Sequence, residues 1–342
     1  MACFRNPFHG FRKLPLALLL LAPLGAETHR VVAGAYYHTF SHSHPVLARL
    51  RPGDTVITKT VDSAGFDYQG VRRTKTHGNP LTGAFYIEGA EPGDALAVHL
   101  HKLRLNRTTG YSAYRLGFAA LAPESIEGLY PNRYQDNVVL PGRSDLAPWI
   151  IDLERNTVRP KDPIGGRISL EFPARPMLGC IGVVPAGDFT PTSGPAGSYG
   201  GNLDYNEVRE GATVFLPVYH PGGLLFLGDG HALQGDGEPT GSGIETSLDV
   251  EFSVDLRKNA RLSGPRLESD EFLVTIGSQP EFSSSLDRAL RLATSDMVRW
   301  LVDDYKLEAP AAHLLIGSQA RYDVITVAGS MALKIPRRYL PR

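Results

Sequence analysis

From Ile244 to Asp255 the chain alternates. Leu248, Val250, Phe252 and Val254 fall on one face of an extended strand, and Asp249, Glu251, Ser253 and Asp255 on the other. A period of two held over eight residues predicts a strand with one face on a core. Similar runs recur. Val46, Ala48 and Leu50 lead to the turn Pro52-Gly53-Asp54 and then to Thr55–Val61, which reads as a hairpin with β-branched residues in its second arm. A second turn of the same kind, Glu91-Pro92-Gly93-Asp94, leads into Ala95–Leu105, where Leu96, Val98, Leu100, Leu103 and Leu105 carry the apolar pattern. Further strands are predicted over 167–172, around Ile181-Gly182-Val183-Val184, and over 212–216, 223–227, 272–276, 322–327 and 330–335. Residues 106–165 read as loops with short strands, and 190–202 as a loop of small residues.

Near the C-terminus the period changes. Over Ser283–Tyr305, Leu286, Leu290, Leu292, Met297, Leu301 and Val302 recur close to every 3.6 residues, which predicts an amphipathic helix. Ser283–Ser285 supply an N-cap and Asp287 an acidic first turn. Pro310–Ile316 reads as a second, shorter helix closed by Gly317. The expected fold is mainly β with an α+β C-terminal portion: a sandwich or barrel core over 45–265, and a small two-helix layer within 266–342 packed on it.

Composition narrows the functional classes. The 35 basic and 36 acidic residues nearly cancel, so no basic excess exists to neutralise a nucleic-acid backbone. Gly 36 and Pro 26 suit strands joined by tight turns. Residues 1–26 read as a secretory signal, with Arg5, Arg12 and Lys13 ahead of the apolar run Leu14–Leu24 and a cleavage residue at Ala26. That run is too short to span a bilayer. The expectation is an exported, periplasmic or secreted protein with no stable membrane insertion after signal removal. A His-rich, flexible lead-in is expected over 27–44. With Cys3 in the leader, Cys180 stands alone and reads as a buried apolar residue.

Candidate chemistry is densest over Gly228–Glu238, where Asp229, His231, Asp236 and Glu238 lie among glycines. Carboxylates and an imidazole suit a divalent metal such as zinc. Asp229 and His231, two apart, would share a face if extended. The competing reading is a solvated Asp/Gly turn, but the apolar run Leu224–Leu227 gives the motif a rigid base. Gly200-Gly201-Asn202-Leu203-Asp204 can form an anion nest or an ordinary turn. Asp62, at a strand end, on its own reads as an Asx-turn carboxylate.

Taken together these blocks resemble the acetamidase/formamidase family. The resemblance is carried by Pro52-Gly53-Asp54-Thr55-Val56 with Thr60-Val61-Asp62, by Asn79-Pro80-Leu81-Thr82-Gly83 with Glu88–Leu96, by Gly200–Asp204, and above all by Leu216-Pro217-Val218 running on to Gly228–Glu238. Glu245 also fits. The resemblance implies a metal-assisted hydrolase that releases ammonia from a small linear amide. Combined with the residue chemistry, it points to Asp62, Asp229, His231 and Glu238 as ligands of a divalent metal ion, zinc by expectation. Such an ion would polarise the carbonyl and acidify a bound water. Glu245 or Asp204 would be the general base, and Asn202 would hold the carbonyl oxygen. The expected partners are the amide substrate and a second copy of the chain, giving a dimer, and no nucleic acid.

Two other readings stay open. One is a non-catalytic carbohydrate- or ligand-binding sandwich that uses Tyr111, Tyr114, Tyr130, Tyr134 and Trp149 as exposed stacking platforms. The other is a metal hydrolase of a cyclic amide or an ester.

Overall fold

The computed structural model describes residues 1, 25–76, 78–117, 119–125, 134, 138–164, 166–278 and 285–341. Most of the expected leader therefore lies outside the described residues. The described chain is mostly β, with two α-helices near its C-terminal end. Neither helix is long and apolar enough to cross a membrane.

The strands form a nine-stranded and an eleven-stranded sheet. In the first, Leu248–Arg257 lies between Thr55–Lys59 and Ala95–Leu105. Its alternation works as the sequence predicts. Leu248, Val250, Phe252 and Val254 are buried, and across the sandwich Phe252 meets Phe85 of the second sheet edge-on at 5.3 Å. A side chain such as Phe252 contributes about 1.5–3 kcal/mol when fully buried. On the opposite face, Asp249 and Glu251 pair with Lys59 and Lys102.

The helices cover the other face of the nine-stranded sheet, so this sheet is the middle layer. Ala97, Phe215, Leu273, Leu333 and Ile335 meet Met297, Trp300 and Leu301 there. Strands Arg266–Glu268 and Phe272–Gly277 extend this same sheet. Ser285 caps helix Leu286–Asp303 by accepting from the Arg288 N–H at 3.2 Å, while Ser283 and Ser284 lie outside the described residues. The buried face of this helix differs from the predicted one. Ala289, Ala293, Met297, Trp300 and Leu301 face the sheet, whereas Leu286 and Leu292 are exposed. Small residues win because the helix sits close: a Cβ on Gly277 would lie 1.9 Å from the Ala289 carbonyl oxygen. The second helix runs over Ala309–Gln319 and includes Gly317, which does not end it.

The two Pro-Gly-Asp turns do something the hairpin reading missed. Ala48–Leu50 pairs with Leu81–Ile87 in the second sheet, whereas Thr55–Lys59 belongs to the first. The second turn likewise joins Leu81–Ile87 to Ala95–Leu105. Each turn therefore carries the chain between layers. Both are locked alike. Asp54 Oδ2 accepts from the Arg51 N–H at 2.9 Å and Asp94 Oδ2 from the Glu91 N–H at 2.8 Å. Their other oxygens accept from Glu27 and Asn259 backbone N–H groups at 2.8 and 2.9 Å. Gly53 and Gly93, at φ 90° and 95°, supply the left-handed residue.

Three further expectations change. Within the lead-in, Thr28–Arg30 pairs in parallel with Thr55–Ile57, and Phe40 is fully buried. No strand forms over 167–170; the pairing there is confined to Phe172–Pro173. The loop over 190–202 contains the short strands Ala196–Gly197 and Gly200–Asn202, which pair with each other.

Candidate metal and active site

The site forms at a break in the eleven-stranded sheet. Strand Leu225–His231 does not stop at Leu227 as the sequence suggests, but runs through Asp229 and His231. One edge pairs throughout with Met177–Val183. The other pairs first with Leu81–Ile87, as far as Gly228, and then with Glu245–Thr246 from Gly230 onward. Asp229 lies where the neighbour changes, with φ 55°. His231 and Glu245 are direct cross-strand partners. Asp204 and Glu238 also have positive φ, 48° and 44°. Left-handed backbone at three acidic residues is strain of the kind that accumulates where a site is built.

The side chains converge. Asp204, Asp229 and His231 form one group with potential ligand atoms within 4.8 Å of one another, and His231, Glu238 and Glu245 form another. A cavity of about 220 Å³ opens onto Asp204, Asp229, Glu238 and Glu245, with Asn79, Tyr111 and Arg143 also in its wall. Within this group, four buried atoms have no hydrogen-bond partner: Asp204 Oδ1, Asp229 Oδ1, His231 Nε2 and Glu245 Oε2. Unsatisfied buried polar atoms are costly and rare, so four in one cluster point to a missing common partner. Room for them is kept by glycine. A Cβ on Gly179 would lie 2.6 Å from Asp204 Oδ1 and 2.7 Å from Asp229 Oδ2.

Gln234 sets the orientation of the imidazole. Its Nε2 donates to the Asp204 backbone oxygen at 2.5 Å, which turns its Oε1 toward His231 Nδ1 at 2.8 Å. Nδ1 therefore carries the donated proton, and Nε2 faces the acids. Nε2 lies 3.2 Å from Glu245 Oε1 and 3.6 Å from Asp229 Oδ1, without the alignment of a hydrogen bond to either.

The electrostatics favour a cation. Burial pushes Glu245 up to about 8 and Glu238 up to about 7, even though His231 pulls both down. Burial also lifts Asp204 well above the usual carboxylate range, with Glu238 and Asp229 adding to it. Burial alone would lower His231, but Glu245 and Asp229 outweigh it and hold the ring well above its ordinary value. Four acids around one imidazole form a hard-to-borderline donor set that fits a divalent ion.

Residues 190–289, which contain all five of these side chains, match the sequence profile of the Acetamidase/Formamidase family. An acetamidase from Bacillus halodurans shares the fold with TM-score 0.74 and 27% identity, over 91% of this chain and 98% of that one. An acetamidase from Yersinia enterocolitica gives TM-score 0.76 and 26% identity over 94% and 96%. The chain thus resembles the acetamidase/formamidase family in profile and in fold. A Schizosaccharomyces pombe protein provisionally named a formamidase is 28% identical over 286 residues, or 70% of this chain. The chain spans about two thirds of the length of the curated relatives it matches, 68% and 65%.

In this acetamidase/formamidase-like fold, Asp229, His231, Glu238, Glu245 and Asp204 come together as the sequence suggests. Asp62 does not join them. Its Oδ1 accepts from the Ala64 and Phe66 N–H groups at 3.0 and 2.9 Å, an Asx turn, and its Oδ2 accepts from Arg107 Nη2 at 2.7 Å. With both oxygens engaged, Asp62 is a buried structural ion pair and not a ligand. Asn202 lines the cavity, but its Nδ2 donates to Asp204 Oδ2 and its Oδ1 accepts from Asn79 Nδ2 at 2.8 Å. It positions Asp204 and keeps one amide hydrogen for a ligand. Asp236 is exposed and accepts from Asn206 at 2.7 Å.

The stacking-platform reading fails. Tyr111 and Tyr134 are buried, Tyr114 and Trp149 are half-buried, and Tyr130 lies outside the described residues. Tyr111 belongs to the catalytic cavity instead, its hydroxyl 2.9 Å from Ser63 Oγ. Gln234, Gly179, Asn79 and Arg143 were not singled out from the sequence. Gln234 lay inside the recognised motif, and its offset of three from His231 was the available signal. Cys180 is buried and free, and burial pushes its thiol up.

Proposed function

We propose that the protein is a metal-dependent amidohydrolase that cleaves the C–N bond of a small linear amide with water, giving a carboxylate and ammonia. The observation that carries this reading is the convergence of four unpartnered buried atoms, from Asp204, Asp229, His231 and Glu245, beside one small cavity. Those four residues would hold a divalent ion, zinc by the chemistry of the donors. When bound, the ion supplies Lewis-acid polarisation of the amide carbonyl and activation of water.

The chain's own groups do the rest. Glu238, half-buried and pushed up to about 7, is suited to take a proton from water and return it to the leaving amine. Asn202, fixed by Asn79 and Asp204, offers its remaining amide hydrogen to the substrate oxygen. Tyr111 keeps its proton, because burial raises its pKa well above the ordinary value, so it serves as a neutral hydrogen-bonding group. Gln234 keeps His231 Nδ1 protonated and its other nitrogen inward.

The same proposal includes export through residues 1–26 and assembly as a dimer. Mass spectrometry of the mature chain would read cleavage after Ala26, and light scattering the assembly. The test of function is ammonia release from formamide, acetamide and larger amides by the mature protein beside Asp229→Ala. Release that falls to background in the folded variant supports the reading. A folded, metal-loaded protein that releases ammonia from no amide refutes it.

A further inference from the structure

A second cavity, of about 370 Å³, adjoins the catalytic one. Tyr111 and Leu140 line both. Phe66, Val139 and Ile150 add apolar side chains to the second wall, and Asp62, Arg107 and Lys161 also line it. The two spaces are linked through the sheet. Tyr111 lies directly across from Glu245 on one side and from Pro148 on the other, so one cross-strand row runs from the acid cluster to the second cavity.

Of the charged groups that line this cavity, Asp62 and Arg107 are engaged, and Lys161 is exposed. Asp62 is held by Arg107 and two backbone N–H groups. Arg107 donates through Nε to the Thr109 carbonyl at 3.0 Å and through Nη1 to Phe66 and Asp67 carbonyls at 3.4 and 3.3 Å. The Trp149 ring turns to the reverse face of its strand, where its Nε1 donates to Ser112 Oγ at 2.9 Å and the ring packs with Ile151 and Val158. An apolar ligand in the cavity would remove Phe66, Val139 and Ile150 from water. Its volume falls within the usual range of ligand sites, about 300–1,000 Å³, whereas the catalytic cavity falls below it.

We propose that this second cavity is the acyl-chain subsite of the active site, and that the substrate is a primary amide whose carbonyl carbon bears an apolar chain of several carbons. This rests on the amidohydrolase reading above. The amide end occupies the cavity beside Asp229 and Glu245, and the chain passes Tyr111 and Leu140 to lie against Phe66, Val139 and Ile150. The residues that choose the chain, Phe66, Tyr111, Val139, Leu140 and Ile150, all lie outside the 190–289 segment that matches the family profile. Chain-length preference can therefore differ from that of relatives while the acid cluster is kept.

The experiment uses metal-loaded protein and a linear series from acetamide to hexanamide. The expected kcat/KM rises about fourfold per added methylene, following the usual gain for a buried methylene. Ile150→Trp, which fills the cavity, should lower the hexanamide-to-acetamide ratio at least tenfold. Independently of turnover, titration calorimetry on metal-free protein should show saturable binding of hexanamide but not of acetamide, and Ile150→Trp should abolish it. Acetamide hydrolysis with a flat chain-length profile, or a ratio unmoved by Ile150→Trp, overturns the subsite and leaves the amidohydrolase reading standing. Saturable hexanamide binding by a protein that hydrolyses no amide keeps the subsite and overturns that reading. If both binding and hydrolysis are missing, the subsite falls as well.

Discussion

Replacing Gln234 by Leu tests how the metal site is held together without touching any of its ligands. Gln234 is buried and bridges the Asp204 backbone oxygen and His231 Nδ1 at 2.5 and 2.8 Å. Leucine fills a similar volume but can neither donate nor accept. The imidazole then loses the bond that fixes its tautomer and ring orientation. Loss of such an outer partner of a metal-ligating histidine typically costs 10–100-fold in affinity or activity. At about 1.4 kcal/mol per tenfold, that is roughly 1.4–2.7 kcal/mol. Stability should fall by a similar amount, about 1–3 kcal/mol, because the Asp204 carbonyl and the Nδ1–H are left buried without partners. Competition with a chromophoric chelator reads metal affinity, ammonia release reads activity, and urea denaturation reads stability. A variant that binds metal within twofold of wild type would show that Gln234 does not orient His231.

Other expectations follow from the same geometry. Gly179→Ala places a Cβ within 2.7 Å of Asp204 and Asp229 carboxylate oxygens, so metal affinity should fall at least tenfold and stability by about 1–3 kcal/mol; titration calorimetry and denaturation read the two effects. Metal binding should release protons and tighten as pH rises through about 7–8, where Glu238 and Glu245 lose theirs; calorimetry in buffers of different ionisation enthalpy counts the protons. Asp296 is buried, but Arg266 at 2.7 Å, Ser263 and Arg299 outweigh the burial and hold its carboxyl below its ordinary 3.8. The sign for a depressed carboxyl is that its contribution is full above 3.8 and is lost as pH falls through the lower folded value. Asp296→Asn, which strands Arg266 in the core, should cost about 3–5 kcal/mol at neutral pH, with the difference shrinking in acid.

How much was legible in the sequence follows from how local each cause is. The strand Leu248–Arg257 announces itself because one face meets the core and the other meets water and lysines. The acid–imidazole cluster was legible because Asp229, His231 and Glu238 lie close together along the chain, and because His231 and Glu245 meet across a short connection between neighbouring strands. What escaped was decided by distant partners. Asp62 reads on its own as an Asx-turn carboxylate, which it is; the resemblance made it a ligand, and Arg107, 45 residues on, takes its other oxygen. Tyr111 looked like a surface aromatic until Glu245 and Pro148 flanked its strand. The turn at Gly53 has the local chemistry of a hairpin, and nothing near it in sequence says that its two arms enter different sheets. The long helix showed a leucine period, but Gly277 draws it in so closely that Ala289 and Ala293 become its buried face.

The most direct test of the metal-dependent site is ammonia release from acetamide and hexanamide by protein stripped of metal and then reloaded with one divalent ion at a time. Activity absent in the stripped, folded protein and restored in proportion to metal bound, but not restored in His231→Ala, is the expected result. Full activity in the metal-free protein would contradict the assignment of Asp204, Asp229, His231 and Glu245 as the ligands on which catalysis depends.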